Sequence, residues 1–196
     1  AGFGAGLYLT FGTSASVTFC AWDQTNGATG TKVDTTTNGG TTAFSTATAT
    51  ASILCTSVND APVLSGTNDF TTITEDQLTN GGDLISALLA GHISDVDSGA
   101  INGIAVTGLV SSTGTWQFST NAGASWSAIG AVSPASALLL RDVDRIRFVP
   151  DGQNGTTASF TYRAWDQTTG SAGASADTTV AGGTSAFSLA TDTASI

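Results

Sequence analysis

Along residues 158–164, Phe160, Tyr162 and Ala164 alternate with Ser159, Thr161 and Arg163. Successive side chains of a strand point to opposite faces, so this spacing predicts a strand with one buried and one wet face. Similar runs of Thr, Val, Ile and aromatic residues are broken by Gly, Asn and Ser turns. They predict strands at Thr71–Thr74, Ile101–Leu109, Thr115–Ser119, Trp126–Ile129, Ala137–Leu140, Arg145–Val149 and Ala186–Ile196. Leu7, Leu9 and Phe11 alternate with Tyr8 and Thr10, as an apolar strand would. The single helical candidate is a short amphipathic turn at Asp83–Ala90. Asn59-Asp60-Ala61-Pro62 reads as a joint, because Pro cannot continue a central strand and holds the preceding residue extended. The pattern is all-β.

The same pattern occurs twice. The run AWDQT at Ala21–Thr25 returns at Ala164–Thr168, which places Trp22 and Trp165 143 residues apart. Between Gly12–Ile53 and Gly155–Ile196, 27 of 42 gapless positions are identical. A unit of about 143 residues matches the usual size of one domain. The sequence therefore divides into residues 1–58, the C-terminal part of a preceding repeat, and residues 59–196, one nearly complete repeat. Ala1–Phe11 do not resemble their offset partners Asp144–Asn154. The N-terminal piece lacks most of a domain, cannot bury its own apolar face, and needs a neighbour.

Composition narrows the classes. Five Lys and Arg against fifteen Asp and Glu, a formal charge of −10, cannot form a basic stripe for nucleic acid. No apolar run is long enough for a transmembrane helix. Only 10% of residues are charged, while 40% are hydrophobic, enough for a core. Cys20 and Cys55 fit neither a disulfide framework nor a four-ligand zinc set. They allow one bridge at most, or two free buried thiols. The Thr, Gly and Asp bias leans towards an extracellular protein.

The densest acidic positions are Glu75-Asp76 and Asp95-Val96-Asp97-Ser98-Gly99, with Asn59 and Asp60 at the joint. They offer only hard oxygen ligands near a Gly turn. Asp-x-Asp on an extended segment turns both carboxylates to one side. This chemistry suits Ca²⁺, which accepts 6–8 oxygens and irregular loops, although no twelve-residue EF-hand spacing is present. The same residues also suit ordinary turn and capping roles on a solvated surface.

Enzyme templates find little support. His92, the sole histidine, sits in a turn, and no G-x-S-x-G elbow flanks a serine. Ser119–Trp126 is similar to an Asp-box hairpin with Asn121 in the Asp place, but it is single and structural in kind. Thr46–Ser52 sets four hydroxyls on one strand face, which reads as a sheet strand or as a flat water-ordering face. Asn154-Gly155-Thr156 is an N-glycosylation sequon.

ITED (Ile73–Asp76), ISDVDSGA (Ile93–Ala100), VNDAP (Val58–Pro62) and RIRFVPDGQNGTTASFTYRAWD (Arg145–Asp166) resemble the cadherin-like, VCBS-type tandem repeats of giant bacterial surface proteins. The resemblance runs over most of the chain from Gly12 onward. It implies an immunoglobulin- or cadherin-like β-sandwich, secretion, repetition, and calcium near domain junctions. Carried over residue by residue, the ligands it implies are Glu75, Asp76, Asp95, Asp97 and Asp60. Cys20, which stands where the second copy has Arg163, departs from the pattern.

The expectation is a structural or adhesive module of an extracellular stalk, sheath or filament. Its partners would be copies of itself, joined head to tail by sheet-edge pairing. The alternative is a glycan- or surface-binding adhesin domain that works through loops such as Thr113–Trp126. An enzyme is not expected.

Overall fold

Thr- and Val-rich segments pair into antiparallel ladders across residues 13–196, the residues that the computed structural model describes. The Leu7, Leu9 and Phe11 strand lies outside them. The chain divides into two compact units, with the boundary between Val58 and Asn59.

In the first unit β1 (Thr13–Trp22) pairs with β2 (Phe44–Cys55). The second unit begins with β3 (Val63–Leu64), β4 (Asp83–Leu84), helix α1 (Ile85–Leu89), β5 (Ile93–Ser94) and β6 (Gly103–Val110). It continues with β7 (Gly114–Ser119), β8 (Ser127–Ala128), β9 (Ala137–Arg141) and β10 (Arg145–Pro150). The last three strands are β11 (Ser159–Trp165), β12 (Ser175–Ala176) and β13 (Asp192–Ser195). One sheet runs β4-β10-β7-β8, the other β12-β9-β6-β11-β13, and β3 pairs with β5.

The inward residues of the two larger sheets share one core: Trp116, Ile146 and Phe148 from the first, Val106, Leu140, Phe160 and Tyr162 from the second. Trp116 and Phe160 meet edge to face at 5.4 Å across the sandwich. On the other face of the five-stranded sheet a smaller core gathers Ala105, Leu139, Trp165 and Phe187 under the loop that follows β11. Gly103 is required there, because a Cβ would meet the Leu140 carbonyl at 2.7 Å and the Trp165 ring at 2.9 Å.

Three local expectations change. Thr71–Thr74 forms no strand, since the Thr71 amide and hydroxyl bond the Asp83 carboxylate instead of a ladder. The helix shortens to Ile85–Leu89, because Asp83 and Leu84 pair with β10. Of Ala186–Ile196 only Asp192–Ser195 is strand. The Arg163 guanidinium donates to the Ser188 carbonyl at 2.9 Å and to the Leu189 carbonyl, contacts that Cys20 cannot make beside the continuous β2.

Much of the bonding of the repeat recurs in both copies. Val17↔Ala51 and Thr18↔Thr50 in the first unit have the register of Phe160↔Ala194 and Thr161↔Thr193 in the second. The threonine hydroxyls of these pairs meet at 3.0 and 3.1 Å. Each tryptophan indole donates at 2.7 Å to a carbonyl four residues on, Asn26 or Thr169. Gln24 and Gln167 share a positive φ of 68° and 64°. Burial is where the copies part: Trp165 is a core residue, whereas Trp22 is half-buried.

Candidate functional site

The short β3–β5 ladder sets residues 59–62 beside the loop that leaves β5. There the Asp60 amide donates to Asp97 Oδ2 at 2.8 Å, and the Asp97 amide donates to Asp95 Oδ1 at 2.8 Å. Asn59 Nδ2 donates to Asp166 Oδ2 at 2.9 Å and to the Ser185 carbonyl at 3.2 Å. Asp166 closes the end of β11, where its Oδ1 receives the Thr168 amide and hydroxyl at 2.8 and 2.6 Å. These contacts bring Asp60, Asp95, Asp97 and Asp166 to one end of the second unit.

Asp95 is the electrostatic centre of this group. Burial is the main force pushing its carboxyl above the usual range. The charges of Asp97, Asp166 and Asp60 push the same way, and the Asp97 amide opposes them. No cationic side chain contributes to the balance. Asp95 Oδ2 is buried and has no hydrogen-bond partner. A buried oxygen without a donor, under the charges of three other carboxylates, has the chemistry of a hard-cation ligand. Among the described residues, however, no three His, Cys, Asp or Glu side chains stand as a ready-made metal cage. The cluster is open.

Of the five expected ligands, the structure brings Asp60, Asp95 and Asp97 together. Glu75 and Asp76 occupy a separate turn, in which the Leu78 amide bonds the Asp76 carbonyl at 2.9 Å. Glu75 lines a small pocket with Phe148, Pro150, Asn154 and Gly155, which contains none of the other three. Asp166 was not among the expected ligands. Its signal was the repeated AWDQT, which reads as a structural repeat because Asp23, its exposed counterpart, makes the same turn with Thr25.

The remaining chemical candidates have local roles. His92 packs against Gly66, where a Cβ would meet its Nδ1 at 2.8 Å, and its Nε2 meets Asn68 Oδ1 at 3.3 Å. Asn121 Oδ1 receives the Ser125 amide at 3.0 Å within the Asp-box-like hairpin. Trp126 lies under the Arg147 guanidinium, 4.1 Å from the ring centre. Cys20 and Cys55 are free, as one reading held, but Cys55 is exposed and Cys20 only partly covered. Neither is buried, because β1 and β2 carry no covering layer among the described residues.

No family model, curated protein or solved structure matches the chain. Among the described residues, no helix is long and apolar enough to cross a membrane.

Proposed function

We propose that the chain is a repeat module of an extracellular structural or adhesive protein, a stalk, sheath or filament built from immunoglobulin- or cadherin-like sandwiches. The observation that carries this reading is the duplicated ladder. A 42-residue stretch returns with 27 identities and the same strand register. Repetition of one sandwich serves length and geometry, since each unit is a spacer of fixed size.

Calcium is the second part of the proposal. Asp60, Asp95, Asp97 and Asp166 would hold it, with Asn59 fixing the Asp166 carboxylate. The ion would supply the positive charge that four carboxylates lack and tie the Asp95–Gly99 loop to residues 59–60. Limited proteolysis of the full chain tests this. The expected result is slower cleavage at residues 59–62 and 95–99 in calcium than in chelator. Equal cleavage rates in the two buffers would reject calcium binding there.

A further inference from the structure

The first unit exposes surfaces whose counterparts inside the second unit are covered by that unit's own strands, and the shared register identifies those strands. In the second unit β11 lies between β13 and β6; in the first, among the described residues, β1 pairs with β2 alone. Val17 is 60% exposed and Phe19 51%, whereas their counterparts Phe160 and Tyr162 are 1% and 0% exposed. The opposite face carries the same deficit. A hollow of about 460 Å³ opens beside Trp22, Val33 and Phe44. In the second unit, the counterparts of Trp22 and Phe44, Trp165 and Phe187, pack on Ala105 of β6 and Leu139 of β9. Among the described residues, one edge and two faces of the first unit therefore lack the same two strands.

We infer that residues 13–55 are the receiving half of a sandwich, and that their occupant is the body of another repeat, of the residues 59–154 kind. It adds a β6-type strand along the free edge of β1 and sets a β9-type leucine into the hollow. The register follows from the second unit. Tyr162 pairs with Val106, Arg163 with Ala105 and Trp165 with Gly103, so Phe19, Cys20 and Trp22 receive the equivalent residues. The free edge supplies backbone hydrogen bonds, and the apolar face supplies the burial that holds the strand. Gly at the Gly103 place allows the close approach to Trp22 that Trp165 shows to Gly103.

This inference rests on the repeat reading and names the partner that the reading requires. The test is the full chain with residues 1–11 replaced by a second copy of residues 59–154, compared with the original chain by hydrogen exchange. The expected result is fast exchange of the residue 13–22 amides in the original chain and exchange slowed at least a hundredfold in the extended one. A Val17→Cys thiol, in a Cys20→Ser, Cys55→Ser background, should react freely in the first and at least tenfold more slowly in the second. Val17→Asp with Phe19→Asp should restore fast exchange in the extended chain while β11 stays protected. Unchanged exchange of residues 13–22 on extension would overturn the inference. So would concentration-dependent protection of these amides in the original chain, because a second 13–55 sheet would then be the occupant. Failure here is separable from failure of the calcium proposal, whose ligands all lie in residues 59–166.

Discussion

Val17 and Phe160 hold equivalent places in two copies of one ladder, opposite Ala51 and Ala194, yet Val17 is 60% exposed and Phe160 1%. Pairing alone does not decide burial. The covering strands do, and they decide what each side chain contributes to stability.

Phe160→Ala should therefore destabilise the second unit by about 3–5 kcal/mol, the range for deleting a buried aromatic that leaves a cavity. Val17→Ala, on the exposed face, should change stability by no more than about 0.5 kcal/mol. Urea unfolding followed by tryptophan fluorescence separates the two. Equal costs would mean that Val17 is covered in solution.

Tyr162 gives the second unit an alkaline limit. Burial pushes its phenol up to about 12, Asp192 adds to the rise and Thr67 opposes it. The Thr67 hydroxyl approaches without completing a well-formed hydrogen bond, since Tyr162 Oη has no partner by geometry. Below pH about 10 the phenol is neutral in both folded and unfolded chains, and the full stability is present. Between about 10 and 12 only the unfolded chain ionises, so stability falls as pH rises, by up to about 3 kcal/mol. Tyr162→Phe should flatten that part of the pH–stability curve. A curve unchanged by the substitution would show that Tyr162 is not the group responsible.

Asp95 should titrate in the opposite sense to an ion-paired carboxylate. Its folded carboxyl is raised, so its contribution is greatest in acid and is lost as pH rises through the carboxylate range. In chelator, Asp95→Asn should raise the melting temperature at pH 7 by removing the charge that burial and three acidic neighbours oppose. It should also abolish any calcium-induced rise. A lower melting temperature for Asp95→Asn in chelator would contradict the electrostatic account.

Asn121 carries the hairpin between β7 and β8. Its Oδ1 receives the Ser125 amide and the Ser119 hydroxyl, and its Nδ2 donates to the Ser125 hydroxyl at 2.8 Å. Asn121→Ala should cost about 0.5–1.5 kcal/mol, the net worth of a solvent-exposed loop hydrogen bond. Asn121→Asp should retain most of the stability, because a carboxylate accepts the same amide. Thermal unfolding of both variants checks the ordering.

Much of this fold was legible where the period was unambiguous. Phe160, Tyr162 and Ala164 announced β11, and the repeat announced that residues 12–53 and 155–196 are two copies of one segment. The misses were tertiary. Thr71–Thr74 has strand composition, but Asp83, twelve residues away, takes its hydrogen-bonding groups. In the acidic cluster, spacing alone linked Asp95 to Asp97. The Asp60 amide meets the Asp97 carboxylate from across the β3–β5 ladder. Asp166, distant in sequence, was hidden because its motif also appears at exposed Asp23. Glu75 and Asp76 were grouped with the others by composition, and their separate turn takes them elsewhere.

Calorimetric titration of calcium into the full chain, with the Asp95→Asn, Asp97→Asn double variant beside it, tests the central claim most directly. The account predicts a saturable heat for the unaltered chain, a higher melting temperature in calcium than in chelator, and neither response in the double variant. Absence of both heat and melting shift in the unaltered chain, or a full response in the variant, would contradict it.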